Sequence, residues 1–98
     1  MGLFDNIKKK NEAKQLGLSV EQYDEYMEAT KQGISLEQYK RYLASFSGKL
    51  NLSQFADYLR LEKEGMADNQ IMRYITELSS KIKVEDYSDF LEAEKIGL

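Results

Sequence analysis

The chain's chemistry must come from cations, carboxylates and phenols, because it contains no His and no Cys. The commonest general base and metal ligand is therefore missing, as are thiol nucleophiles and thiolate metal sites. Gln38, Lys40 and Arg41 place an amide and two cations within four residues, types that reach phosphates and base edges. Leu3, Phe4 and Ile7 precede Lys8 and Lys9, an apolar and cationic pairing suited to a membrane surface. Asp86 and Asp89 stand one helical turn apart beside Glu85, Glu92 and Glu94. Hard cations need several converging oxygens, usually from a glycine-containing loop, and this run has no such loop. It reads as a solvated acidic face. Glu21, Glu37 and Glu85 read as first-turn acids that favour helix N-termini. There is no glycine-rich phosphate loop and no nucleophile elbow. No catalytic residue, cofactor or metal site is therefore assigned, and the chain is expected not to be an enzyme.

These residues are positioned by an internal period of sixteen residues. Counting from Gly17, position one reads Gly17, Gly33, Lys49, Gly65, Lys81 and Gly97. Position two is always apolar: Leu18, Ile34, Leu50, Met66, Ile82 and Leu98. Position seven reads Tyr23, Tyr39, Phe55, Ile71 and Tyr87, and position ten reads Tyr26, Tyr42, Tyr58, Tyr74 and Phe90. All seven tyrosines fall in these two slots. With position eleven also apolar, the spacing lines one face of a helix and fits no strand. The expected fold is all-α: five short helices in a sixteen-residue repeat, as a compact bundle or a short superhelix. Residues 1–16 form a preceding basic amphipathic segment, expected to be helical, and residues 17–98 the repeat domain. The ten slots at positions seven and ten are expected to form the core, with tyrosine hydroxyls left near the surface.

With no proline in the chain, the helix stops must come from glycines and caps. Ser19 with Gln22, Ser35 with Gln38, and Asn51 with Gln54 have capping-box spacing. Gly17, Gly33 and Gly65 sit where the previous helix would close in a left-handed conformation. The later periods are weaker: Ala67 cannot cap by side chain, so Asp68 is expected to cap one residue later. Lys83 is a poor cap, and Lys49 and Lys81 replace glycine.

Two local resemblances follow. Ala13, Gly17, Ser19, Tyr23 and Tyr26 resemble the turn of bacterial helix-turn-helix regulators, and Ala29, Gly33, Ser35, Tyr39 and Tyr42 repeat the spacing. The resemblance implies DNA contact through the second helix, with Gln38, Lys40 and Arg41 as contact residues. Charge argues the other way, since Glu21, Asp24, Glu25 and Glu28 would repel phosphates. Gly2-Leu3-Phe4-Asp5 with Ile7-Lys8-Lys9 resembles the start of membrane-active amphipathic peptides of amphibian skin, which implies peripheral attachment through Leu3, Phe4, Ile7, Lys8 and Lys9.

The net charge is −3 over 98 residues, and no apolar run is long enough to span a membrane. A small cytoplasmic domain is expected, acting as a protein-interaction module, either adaptor or inhibitor. Position eight varies freely (Asp24, Lys40, Ala56, Met72, Ser88), and Met72 lies off the apolar stripe as an expected partner contact. The expected partner is another protein, or a second copy in a homo-oligomer; nucleic acid and a membrane surface are the alternatives.

Overall fold

The computed structural model describes the backbone of residues 3–97 and the side chains of residues 6–97. Six α-helices occur among these residues: α1 (Leu3–Leu16), α2 (Val20–Lys31), α3 (Leu36–Ser45), α4 (Leu52–Lys63), α5 (Asp68–Arg73) and α6 (Tyr87–Lys95). A π-helical segment, Tyr74–Leu78, continues α5, and a 3-10 turn, Val84–Asp86, leads into α6. No strand occurs among the described residues, so the chain is all-α as its spacing predicts. None of the described helices is long and apolar enough to cross a membrane.

The helices start where their caps dictate. Ser19 Oγ accepts from the Gln22 amide at 3.1 Å, and Gln22 Oε1 accepts from the Ser19 amide at 2.9 Å. Ser35 with Gln38 and Asn51 with Gln54 form the same reciprocal pairs. Each box satisfies two amide donors that the first turn leaves over. Ala67 is the N-cap of α5, with extended backbone and no side-chain acceptor. Gln70 Oε1 still accepts from the Ala67 amide at 3.0 Å, so half of the box survives. Asp68 does not cap one residue later; its Oδ1 instead accepts the Tyr58 hydroxyl at 2.7 Å. Lys83 offers no cap either, and the chain there enters α6 through the 3-10 turn.

The stops follow from backbone sterics. Gly17 and Gly33 have φ of +78° and +80°, a region costly for residues with a Cβ. Their left-handed turns let Leu18 donate to the Ala13 carbonyl at 2.8 Å and Ile34 to the Ala29 carbonyl at 3.1 Å. After α3 the left-handed residue is Gly48, φ +86°, one position before the Lys49 that the period nominates. At Lys81 no left-handed turn forms at all. The helix widens into π geometry, and the Lys81 and Ile82 amides both donate to the Leu78 carbonyl at 2.9 Å.

The chain divides into two compact units between Ser47 and Gly48. In the first, Ala13, Leu18, Ala29, Ile34, Tyr39 and Tyr42 are buried. In the second, the buried residues are Leu50, Phe55, Tyr58, Leu61, Ile71, Tyr74, Ile75 and Tyr87. Of the ten residues at positions seven and ten, only Tyr23, Tyr26 and Phe90 stay half-buried. The rings pack on one another: Tyr26 and Tyr39 have centroids 5.7 Å apart, and Tyr74 and Tyr87 4.8 Å apart.

Five of the tyrosine hydroxyls find protein partners, all in part-buried positions. Tyr23 donates to Glu12, and Tyr39 donates to Glu25 Oε1 at 2.7 Å. Tyr87 donates to the Gln70 carbonyl at 2.7 Å, and Tyr74 to the Ile82 carbonyl at 2.7 Å. Position-seven tyrosines thus reach back to the preceding helix, while Tyr58 and Tyr74 at position ten reach forward. No buried side-chain polar atom among the described residues lacks a partner.

These contacts set the pH response. Burial, reinforced by the Glu25 bond, pushes the Tyr39 phenol well above its ordinary value. Burial also raises Tyr42, Tyr74 and Tyr87, while the bond to Glu12 is the main cause at Tyr23. The unfolded chain ionises its tyrosines near pH 10, before the folded chain does. The stabilisation is therefore whole below about pH 10 and is lost as the pH climbs from there toward the raised values. Thermal unfolding followed by circular dichroism should give a lower midpoint at about pH 11 than at about pH 8, with the drop reduced in Tyr39→Phe. An unchanged midpoint would contradict the assignment. Ala67→Ser should stabilise the protein by about 1 kcal/mol, because the backbone and Gln70 are already set for a full box. Denaturant unfolding of the two forms measures this, and no gain would mean that the cap geometry at Ala67 is wrong.

Candidate binding surfaces

The cationic set on α3 is engaged in local structure. The Gln38 side chain closes the Ser35 capping box, which occupies its carbonyl oxygen. The Arg41 guanidinium lies over the Phe46 ring, 5.5 Å from its centroid. Lys40 is exposed and lies over the joint at Gly17, where a Cβ would meet its Nζ at 3.4 Å. Gln38 and Arg41 therefore serve the helix start and the ring at its end, and only Lys40 keeps its charge clear of such a role.

The N-terminal segment is helical through α1 and packs on α2. Ala13 is buried, Glu12 receives the Tyr23 hydroxyl, and Lys9 Nζ pairs with Asp24 Oδ1 at 3.0 Å. Lys9 is thus drawn into the fold, while Lys8 stays exposed. Ile7 is 47% exposed at the edge of a hollow of about 260 Å³ that Val20, Lys9 and Lys10 help to line. The side chains of Leu3 and Phe4, also expected at a membrane surface, lie outside the described residues. Met72, expected as an exposed partner contact, is half-buried on α5.

A concave surface lies in the second unit, between the start of α5 and α6. It has a volume of about 490 Å³. Met66 and Leu91 supply its apolar part; Glu64, Glu92 and Glu94 make its lining acidic, alongside Lys95. The local fold explains each placement. Gly65 turns the chain after α4 with φ +92° and brings Met66 into the lining. Leu91 and Glu92 project from α6, which is held to α5 by the Tyr87 bond to Gln70 and by Arg73. Arg73 grips Glu94 with two bonds of 2.6 and 2.7 Å and lies 5.8 Å over the Phe90 ring. That grip holds the Glu94 carboxyl below its ordinary range.

The sequence reading missed this groove. Met66 and Leu91 stand at positions two and eleven, which the period marks as apolar, at the joint and on the helix face, but not as a binding surface. Only the folded joint shows that both reach its edge. Among the described residues no group of three or more carboxylates is placed to hold a metal ion. Comparison with protein families, with curated proteins and with solved structures returns no match for this chain.

Proposed function

We propose that this protein is a cytoplasmic protein-interaction module without catalytic activity, built on repeated helical segments and binding through the groove beside α6. The observation that carries the reading is the pairing of Met66 and Leu91 with an acidic lining in one concavity of about 490 Å³. Interfaces draw their binding energy from a few apolar side chains seated in such recesses, while polar rims set orientation. The partner class that fits is a protein segment offering one apolar anchor flanked by Lys or Arg. A chain without cysteine suits the reducing compartment this reading assumes. Binding of nucleic acid through Gln38, Lys40 and Arg41 has less support, because two of the three are spent on local structure. Membrane attachment would rest on Leu3, Phe4, Ile7 and Lys8, since Lys9 is paired with Asp24.

The test compares lysate capture by the wild-type protein and by Met66→Asp combined with Leu91→Gln, with helix content checked by circular dichroism. Cross-linking should map a captured protein to the groove, and the double substitution should lower capture about tenfold or more. Equal capture by both proteins, or no specific capture by the wild type, would overturn the proposal. Duplex DNA should not bind measurably at about 0.15 M salt, since too few cations converge to release counterions. A tight, salt-sensitive complex lost on Lys40→Glu with Arg41→Glu would instead favour the nucleic-acid reading.

A further inference from the structure

Ile7 and Ile96 are the large hydrophobic residues exposed among the described side chains, at 47% and 69%. They lie in different units, Ile7 on α1 and Ile96 just after α6, and the two helices are of opposite charge. Helix α1 carries four lysines against two acids, and α6 three acids against one lysine. Each isoleucine also departs from the pattern around it. Ile7 stands one period before Tyr23, in the slot that is otherwise buried or half-buried and packed toward the preceding helix. Ile96 stands where the four preceding periods have Gln32, Gly48, Glu64 and Ser80, although Leu16 occupies the same slot one period earlier.

The neighbouring charges complete two matching rows. Ile7, Lys10 and Lys14 share one helical face of α1 at i, i+3 and i+7. Asp89, Glu92 and Ile96 run along α6 at the same offsets, with Ile96 on the residue after the helix ends. All four charged residues are exposed, and none has an ion pair among the described residues. Laid antiparallel, Ile7 meets Ile96, Lys10 meets Glu92 and Lys14 meets Asp89. At 1.5 Å per residue the outer pairs coincide and the middle pair is offset by one residue, roughly 1.5 Å, which side-chain freedom absorbs.

We propose that this protein self-associates head to tail, the Ile7–Lys10–Lys14 row of α1 in one copy docking antiparallel on the Asp89–Glu92–Ile96 row of α6 in the next. The two surfaces differ, so the contact is heterologous and forms open chains or a ring. One helix pair buries little area, so the association is weak and concentration-dependent. The α6 row shares Glu92 with the groove described above, whereas Asp89, Ile96 and the whole α1 row lie outside its lining, so the Lys10 and Lys14 substitutions test this contact without touching the groove.

Sedimentation velocity of the full chain, from about 10 μM to about 1 mM and at low and high salt, tests the proposal. The wild type should associate with rising concentration, and less at high salt. Lys10→Glu with Lys14→Glu should weaken association about tenfold or more, as should Asp89→Lys with Glu92→Lys. Mixing the two charge-reversed proteins should restore it, because each then offers the other a complementary row. Ile7→Ser with Ile96→Ser removes the apolar contact without altering charge and should also abolish association. A wild type that stays monomeric at every concentration overturns the proposal. So does association that the reversals leave unchanged, or a mixture that fails to recover it.

Discussion

Everything in this fold depends on how a buried phenol satisfies its hydroxyl. A tyrosine ring gives a short helix the apolar mass it needs, but its oxygen costs free energy wherever it lacks a partner. Here that oxygen is turned into a directional link. Tyr23 ties α2 to Glu12 of α1, Tyr39 ties α3 to Glu25 of α2, and Tyr87 ties α6 to the Gln70 carbonyl of α5. Tyr58 links α4 to Asp68 at the start of α5. Helices of 6 to 14 residues are too short to persist alone, so packing and these links must hold them. A Phe at each site would supply the same ring and none of the register.

The joints serve the same end. Capping boxes at Ser19, Ser35 and Asn51 fix where helices begin, and left-handed glycines at 17 and 33 fix where they stop. Leu18 and Ile34, buried beside those glycines, carry both the closing backbone bond of one helix and the lead-in to the next cap. The departures occur where the sequence lacks the right residue. Lys81 cannot take the left-handed turn cheaply, so α5 runs on as a π-helix, and α6 begins late through a 3-10 turn. The groove lined by Met66 and Leu91 lies in this less regular unit.

Much of the fold was legible because its signals are local. The apolar face and the Ser-x-x-Gln caps act within a few residues, so α2 and α3 fall where spacing places them. What stayed hidden depends on chain brought together from a distance. The acceptors of Tyr39 and Tyr87 lie 14 and 17 residues upstream, and no period marks Glu25 or Gln70 as their partners. Asp68 reads as a cap in sequence, and only the approach of Tyr58 shows its other use. The candidate sites fared unevenly for the same reason. Lys40 and Arg41 are visible as cations, but the Phe46 ring beneath Arg41 is not. Met72 looked exposed by its slot, whereas the groove arises at a joint that Met66 and Leu91 line together.

The most direct test of this account is a double-mutant cycle on Tyr39 and Glu25, with Tyr39→Phe, Glu25→Gln and both together, followed by denaturant unfolding. If the phenol–carboxylate link holds α3 to α2, the coupling energy should be about 1 kcal/mol, and the double variant should lose less than the two single losses combined. A coupling near zero would mean that the rings alone hold the helices and that the hydroxyl links are incidental.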